Sequence, residues 1–515
     1  MRRIDRRTFL DQSLGLGAAM LAPAIVRAQS SKPAITSGIG AGDVTGGRAI
    51  IWSRTDRPAR LGVEYATTES FRDPRRVVGP AALEPTDFTA RVALRELPAG
   101  QRIFYRVRFQ DLSDLKTWSD PLTGSFNTPP SDASRDLTIA WSADTVGQGW
   151  GINPAWGGLK LYDAMRAAQP DIFIHCGDTI YADGPLESEV KLDDGTVWKN
   201  MVTEAKSHLA QSLADFRGCH QYNLLDEHMR RFNAEVAQMP LWDDHEVRDN
   251  WYPTRDLSKD DRYTLKSIAI IAERARRAFL EHHPIAIDPD NQDRIHRTLS
   301  LGPAVEVFGL DLRSYRGPNS ENRQATLDET SALMGAGQLA WLKERLAASR
   351  ATWKVIASDL PIGAVVPDRP NFFEAFANDD PGPPLGRELE VADLLRFIKA
   401  RRVRNVVWIT ADVHYCAAYH YDPTRAKFTD FDPFWELVAG PLHAGTFGPN
   451  TLDPTFGPEA RFVGIPPGMK PNRPPSDGFQ FFGTLKYRAK TKGLTAALHD
   501  LTGKSLWSVE LGASA

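Results

Sequence analysis

From residue 137 onward, short apolar runs in the sequence are each followed closely by an aspartate. Short runs that are apolar throughout are typical of strands buried on both faces. Helical patterns such as Leu339, Leu342 and Leu346 lie between them, so the region predicts an α/β fold. The runs and the residues that follow them are 137–141 with Asp144, 172–176 with Asp178, 239–242 with Asp243, Asp244 and His245, 355–357 with Asp359, and 406–410 with Asp412 and His414.

The position of these acids predicts a metal centre. In open α/β sheets ligands bind beyond the carboxyl ends of the strands, so the five runs are expected to bring their acids to one rim. Carboxylates that lie so close together repel one another unless cations lie among them. Oxygen ligands with one or two histidines favour a multi-metal hydrolytic centre over a thiolate zinc site. Each acid alone could equally be a helix N-cap or turn former, so the prediction depends on all five.

Residues 33–130 show a different pattern, with apolar side chains at every second position and no helical stripe. Turn clusters such as Thr45-Gly46-Gly47 separate the short runs. This pattern predicts an all-β sandwich of about 100 residues. The two clearest strand faces are formed by Phe88, Ala90, Val92 and Leu94, and by Ile103, Tyr105, Val107 and Phe109.

A Pro-rich segment at 128–132 is predicted to link this sandwich to a larger domain over 135–510. Inside the larger domain, 186–236 is long, polar and helix-like, and we expect it to be an insertion over one end of the sheet. The Pro- and Gly-rich stretch 422–477 is predicted to be loop, long enough to be functional.

Residues 1–28 are predicted to be an export signal rather than part of the fold. Paired Arg6 and Arg7 precede Phe9 and an apolar stretch from 14 to 26, which ends in a small-x-small cleavage pattern before Gln29. The stretch is too short to span a membrane. The pattern resembles a twin-arginine signal, which implies passage through the twin-arginine translocon and a periplasmic or secreted protein.

Composition excludes several classes of function. A net charge of -3 over 515 residues argues against the basic surface that a nucleic-acid partner usually requires. Three cysteines are too few for a disulfide scaffold, and we expect each to be a buried free thiol. No other apolar run approaches the roughly 20 residues of a transmembrane helix, so no stable membrane span is expected.

Four motifs resemble, in order and spacing, those of the alkaline phosphatase D family of calcineurin-like metallophosphoesterases. The resemblance extends over nearly the whole chain. It implies an α/β (α+β) metallophosphoesterase sandwich preceded by an all-β, immunoglobulin- or fibronectin-like domain. The motifs are Gly177-Asp178-Thr179-Ile180-Tyr181, Trp242-Asp243-Asp244-His245-Glu246-Val247, Ser358-Asp359-Leu360-Pro361-Ile362 and Asp412-Val413-His414.

The resemblance also implies roles for individual residues. Asp178 is expected to bridge two metals and Asp244 to bind the second of them. Tyr181 lies where relatives place a tyrosinate that binds ferric iron, although ordinary aromatic packing is the alternative. His245 is expected to protonate the leaving oxygen or to stabilise the phosphoryl charge, the alternative being a hydrogen bond at a helix N-terminus. The further expected metal ligands are Asp144, Asp359, Asp412 and His414.

The chain departs from the family pattern at the first strand. Relatives carry Ala-Ser-Cys there, whereas this sequence reads Ser142-Ala143-Asp144, and Val146 stands where simpler enzymes place a histidine. Asp144 provides a hard oxygen ligand in place of a thiolate. The expected cofactors are therefore Fe3+ with one or two Ca2+, with another divalent mixture left open.

The implied activity is that of an alkaline phosphatase and phosphodiesterase, in which a hydroxide held between two metals attacks phosphorus in line. The expected substrate is a small phosphate mono- or diester, with a phospholipid as a further candidate. Arg313 is expected to be catalytic and Arg316 to bind substrate, unless both are surface or ion-pairing arginines; His443 is expected to line the pocket. The pair 282–283 is expected to mark an exposed helix end.

Other activities remain open at this point. A phospholipase-D-like or phosphotriesterase activity would use the same metals, because loops rather than metals decide the substrate. An exported binding protein with a decayed centre is a further alternative, against which the five retained acids argue.

Overall fold

The computed structural model describes residues 32–514, so the predicted signal peptide lies outside the described residues. Between residues 32 and 130 the structure contains strands and one 3-10 turn but no α-helix, which agrees with the all-β prediction. The strands are β1 (Ile35–Thr45), β2 (Arg48–Thr55), β3 (Ala59–Ala66), β4 (Arg75–Ala82), β5 (Thr89–Arg95), β6 (Arg102–Asp111) and β7 (Leu122–Asn127).

The rest of the described chain is mixed, with strands and helices in alternation. The helices are α1 (Lys160–Ala167), α2 (Leu213–Asn223), α3 (Glu227–Glu235), α4 (Ile268–His282), α5 (Ala336–Ala348) and α6 (Glu388–Ala400). The strands are β8 (Leu137–Ser142), β9 (Ile172–Cys176), β10 (Glu189–Lys191), β11 (Val197–Lys199), β12 (Ala237–Leu241), β13 (Arg297–Ser300), β14 (Val305–Gly309), β15 (Trp353–Ala357), β16 (Pro367–Arg369), β17 (Phe372–Phe373), β18 (Val406–Thr410), β19 (Ala417–Tyr421), β20 (Phe434–Val438), β21 (Pro458–Val463), β22 (Phe482–Tyr487), β23 (Leu494–His499) and β24 (Ser505–Leu511).

The apolar runs belong to two sheets, so the expectation of a single sheet with one rim is wrong. In the first sheet β8, β9 and β12 are parallel, and the strand order is β24-β23-β22-β8-β9-β12-β1-β2-β5. In the second sheet β14, β15, β18 and β20 are parallel, and the order is β13-β14-β15-β18-β20-β19-β21. Both sheets contain antiparallel strands as well.

The two sheets pack face to face and share one hydrophobic core. Their close approach is visible at Gly309 on β14, where a Cβ atom would lie 2.7 Å from Leu241 and 2.8 Å from Met239 on β12. Leu241 is fully buried. This arrangement agrees with the sandwich that the family resemblance implied, and it brings the carboxyl ends of parallel strands from both sheets together.

The N-terminal strands divide between two sheets whose buried side chains share one core. Strands β3, β4, β6 and β7 form a four-stranded sheet, whereas β1, β2 and β5 extend the first large sheet. The join is a parallel pairing between β1 and β12 at Gly42 and Gln238. One sheet of the expected N-terminal domain is therefore continuous with the larger domain, and the immunoglobulin- or fibronectin-like assignment stays a prediction.

The helical expectations hold in part. The stripe at Leu339, Leu342 and Leu346 lies on α5, as predicted. The stretch 186–236 is helical only in its second half, because the β10–β11 hairpin occupies the first. The helix end at His282 is buried, so the expectation that it is exposed is wrong. None of the helices between residues 32 and 514 is long and apolar enough to cross a membrane.

Candidate metal centre

The loops that leave the parallel strands carry an unusual backbone conformation. Asp144, Asp178, Asp412 and His414 have φ angles of 66°, 53°, 65° and 60°. L-residues avoid this left-handed region, and residues held in it concentrate at functional sites. Tight turns there direct the side chains back across the ends of the two sheets.

The structure brings the acids from both sheets into one cluster. Three overlapping groups each have ligand atoms within 4.8 Å of one another. Asp178 belongs to the first two groups and Asp244 to the last two, so the groups form one continuous site. They are Asp144 with Asp178 and His414, Asp178 with Asp244 and His245, and Asp243 with Asp244 and Asp412.

Two of these carboxylates have buried oxygens that accept no hydrogen bond from the described residues. Both side-chain oxygens of Asp144 and one of Asp244 lack a partner among the described residues. Burial, followed by the charge of neighbouring carboxylates, raises the pKa of Asp144 and Asp412 well above the usual range. Burying charges without partners is costly, so the cluster is favourable only when cations neutralise it. The residues therefore fit bound metal ions.

His414 and Tyr181 present a nitrogen and a phenol oxygen to this cluster. The Nδ1 atom of His414 donates to the Gly445 carbonyl at 2.5 Å, which makes Nε2 the unprotonated nitrogen of the ring. Burial lowers the pKa of His414 to about 4, which keeps the ring neutral. The Tyr181 hydroxyl lies 2.9 Å from this Nε2 atom. Both atoms are available to a metal ion bound beside Asp144.

His245 is held in place on three sides. Its Nδ1 atom donates to Asp183 at 2.7 Å, its ring stacks on Tyr181 at 4.2 Å, and its backbone N–H donates to Asp178 at 3.1 Å. Burial by itself lowers the pKa of His245, but Asp183, Asp244 and Asp178 raise it well above the ordinary value. With 12% of its side chain exposed, His245 lies at the edge of the cluster, where the neighbouring carboxylates favour its protonated form.

Arg313 and Asp359 lie together on the inner side of the cluster. The Arg313 Nε atom pairs with Asp243 and is 3.5 Å from Asp359, and the Arg313 side chain is fully buried. Asp359 belongs to none of the three ligand groups, although it was expected to bind metal. Its contact with Arg313 makes it the partner of an internal cation in this structure.

The two expected substrate-binding residues lie away from the clustered ligand atoms. Arg316 is buried and donates through Nη2 to Asn319 and to the Glu374 carbonyl. The His443 ring lies between Trp156 and Trp198, each 5.8 Å away. His443 contributes instead through its backbone N–H, which donates to the Asp144 carbonyl at 3.0 Å. Substrate binding by either residue stays a prediction.

For four acids of the site, no individual role was predicted from the sequence. Asp183 holds His245, and Asp243 and Glu374 pair with Arg313. Glu246 accepts from the Thr179 backbone and hydroxyl, at 2.5 and 2.6 Å, and so joins two of the site loops. Asp243 and Glu246 lie within a quoted motif, so the motif itself was the signal. Glu374 lies in a loop with no pattern that could have identified it.

Comparisons with known proteins agree with the fold and the site. The family model described as PhoD-like phosphatase matches residues 139–498, and that of its N-terminal domain matches residues 20–130. Alkaline phosphatase D of Bacillus subtilis (strain 168) is 26% identical over 451 residues, which is 80% of this chain and 71% of the relative.

Two solved structures resemble the fold. One, described as the structure of PhoD, has a TM-score of 0.68 at 19% identity and covers 94% of this chain and 90% of its own. The purple acid phosphatase from yellow lupin (Lupinus luteus) seeds has a TM-score of 0.56 at 12% identity, covering 93% and 74%. At these identities the likeness bears on the fold alone, and it fits a metallophosphoesterase-like fold.

Proposed function

This chain belongs to the PhoD-like phosphatase family and is a metal-dependent phosphoesterase, and from that premise we propose that it hydrolyses both phosphomonoesters and phosphodiesters. The observation that carries the proposal is the single cluster of buried carboxylates and histidines at the ends of two sheets. Water activated by bound metal ions can attack phosphorus directly, and this attack is open to diesters as well as to monoesters.

We propose that the two ends of the cluster hold different metals. Tyr181, His414 and Asp144 combine a phenol, an imidazole and a carboxylate, a set that suits Fe3+. The carboxylate group around Asp244 and Asp412 suits a hard cation such as Ca2+. When bound, such ions acidify a water molecule and neutralise charge on the phosphoryl oxygens.

His245 is proposed to donate a proton to the leaving oxygen. Its Nδ1 atom is committed to Asp183, and its Nε2 atom lies 3.9 Å from the exposed carboxylate of Asp249. The stacking on Tyr181 fixes the plane of the ring. Bound metals offset the charges of Asp178 and Asp244, which leaves Asp183 as the group that keeps His245 protonated. A protonated imidazole at the edge of the site is suited to general-acid catalysis.

The protein is proposed to be exported by the twin-arginine route and to act in the periplasm or outside the cell. The paired arginines at 6–7, the apolar stretch and the cleavage pattern support this proposal. Fusion of residues 1–40 to a reporter, with Arg6 and Arg7 both replaced by lysine in a matched fusion, tests it. Export of both fusions, or of neither, would contradict the twin-arginine assignment.

The substrate range is tested with the full chain after metal loading. Turnover of p-nitrophenyl phosphate and of bis-p-nitrophenyl phosphate is expected, both lost on chelation and both recovered with metal. Phosphatidylcholine and a phosphotriester serve as competing substrates in the same assay. Hydrolysis of the triester or the phospholipid at a higher kcat/KM than both test esters would contradict the proposed specificity.

A further inference from the structure

Arg313 lies beneath the acidic cluster and has no exposed surface. Its Nε atom pairs with Asp243 and lies 3.5 Å from Asp359, and its Nη1 atom pairs with Glu374. Burial alone lowers the pKa of an arginine, but these carboxylates raise it well above the ordinary value. Arg313 is therefore a permanent internal cation that pairs directly with Asp243 and Glu374 and lies close to Asp359.

The remaining nitrogen of Arg313 faces the acids that line the site. Nη2 lies 3.9 Å from Asp244 Oδ2 and 3.7 Å from Asp412 Oδ1. Both separations are longer than a hydrogen bond. This side of the guanidinium therefore attracts the two carboxylates, but their oxygens accept no hydrogen bond from it. Asp244 keeps one oxygen with no partner among the described residues. Both acids belong to one of the groups that fit a metal ion.

This geometry disagrees with a role in binding phosphate. A guanidinium that binds substrate needs N–H groups open to the pocket, as bidentate recognition of phosphate requires. All three Arg313 nitrogens face protein carboxylates. A phosphate group would have to displace one of them to make contact.

We propose that Arg313 is a positioning residue of the metal centre. Its pairs with Asp243, a member of the same ligand group, and with Glu374 fix the guanidinium, and the guanidinium in turn holds Asp244 and Asp412 in place for a metal ion. The inference rests on the proposed metal centre and concerns this chain's own residues. The planar fork of arginine, rather than charge alone, supplies the rigidity.

A purely electrostatic role and a positioning role for Arg313 predict opposite effects of its replacement on metal affinity. A fixed positive charge close to a metal ion repels it, so removal of the charge alone would tighten metal binding. Loss of a group that orients metal ligands weakens binding, by about 10- to 100-fold in characterised sites. Metal affinity therefore distinguishes the two without any measurement of hydrolysis.

The test is a titration of the metal-free full chain with Mn2+, with free Mn2+ measured by electron paramagnetic resonance. Arg313→Met is expected to weaken at least one Mn2+ site by about tenfold or more. The matched control is Arg276→Met, which removes a buried guanidinium that hydrogen-bonds Ser314 and packs on Trp242 outside the cluster. The control is expected to bind Mn2+ as the wild type does. Unchanged or tighter Mn2+ binding by Arg313→Met overturns the proposal.

A second variant covers the case in which Arg313→Met does not fold. Glu374→Gln keeps the side-chain volume but removes the acid that pairs with Nη1, and several-fold weaker Mn2+ binding is expected. Wild-type affinity in Glu374→Gln would overturn the inference while leaving the proposed hydrolysis untouched. A wild-type protein that binds no Mn2+ would contradict the metal centre itself, and both proposals with it.

Discussion

Asp144 owes its position to the absence of a side chain at Gly440. A Cβ atom at Gly440 would lie 2.3 Å from Asp144 Oδ2, far inside van der Waals contact. Within residues 32–514, the Asp144 carboxylate has no hydrogen-bond partner that could hold it elsewhere. Gly440, in the loop that follows β20, therefore leaves the space that the Asp144 carboxylate occupies.

Gly440→Ala is expected to weaken metal binding more than it weakens the fold. The added methyl group displaces the carboxylate of Asp144, a flexible side-chain end, so the backbone can stay in place. Titration of the metal-free protein with Mn2+ measures the effect. Gly337→Ala is the control, because a Cβ at Gly337 meets nothing within 4 Å. Equal Mn2+ affinities in the two variants would show that Gly440 has no such role.

Asp183→Asn is expected to move the alkaline limb of kcat/KM to lower pH. Burial lowers the pKa of His245, and the Asp183 charge opposes it and raises that pKa. Without this charge, the imidazole loses its proton at a lower pH, and the general acid is lost sooner as pH rises. The measurement is a pH profile of p-nitrophenyl phosphate hydrolysis, with Asp256→Asn as an exposed control. An alkaline limb that stays where it is in the wild type would argue against His245 as the acid.

At the scale of elements, the sequence predicted where the strands end but not which strands pair with one another. Asp144, Asp178 and Asp412 follow strands at the expected places because short apolar runs identify buried strands directly. A run of five residues contains no information on which strand it will pair with, so the runs alone did not predict the division into two sheets, which only the family resemblance implied. The pairing of Gly42 with Gln238 joins parts of the chain far apart in sequence.

Loop residues of the site were predictable only inside motifs. Asp244 and His245 lie within a specific hexapeptide, whereas Asp183 and Glu374 are isolated acids in irregular segments. Such acids are usually solvated, and only the folded chain shows that these two are buried against His245 and Arg313. Tertiary contacts, not local sequence, gave them their roles.

The contact between the two sheets is expected to be a major source of stability. Leu241→Ala removes a fully buried side chain that packs against Gly309 of the opposite sheet, and a loss of about 2–5 kcal/mol in the free energy of unfolding is expected. Urea unfolding measures it. Leu225→Ala, at a side chain that is 44% exposed, is the control and is expected to change stability by less than about 0.5 kcal/mol. Similar losses in both variants would contradict the two-sheet core.

At the scale of the whole molecule, metal binding and folding are linked through the buried acids. Burial raises the pKa of Asp144, Asp178 and Asp412 in the folded protein. A carboxyl group with a raised folded-state pKa stabilises the protein below its unfolded pKa, and this contribution is lost as pH rises through the folded value. The metal-free protein is therefore expected to lose thermal stability as the pH rises from about 5 to 8.

Bound metal is expected to remove this loss. Cations neutralise the ionised carboxylates and stabilise the state that binds them. Thermal unfolding in a chelator and in excess Mn2+, over the same pH range, makes the comparison. A metal-free protein whose Tm is constant or increases over this range would show that the cluster is not held together by cations.

The most direct test of the account compares wild type and Asp178→Asn for p-nitrophenyl phosphate hydrolysis and metal content on the same samples. Asp178 belongs to two of the three ligand groups, so no other single change affects more of the site. The account predicts that Asp178→Asn binds less metal and loses more than about a hundredfold in kcat/KM, while Asp256→Asn keeps both. Unchanged hydrolysis and unchanged metal content in Asp178→Asn would contradict the claim that this cluster is the catalytic metal centre.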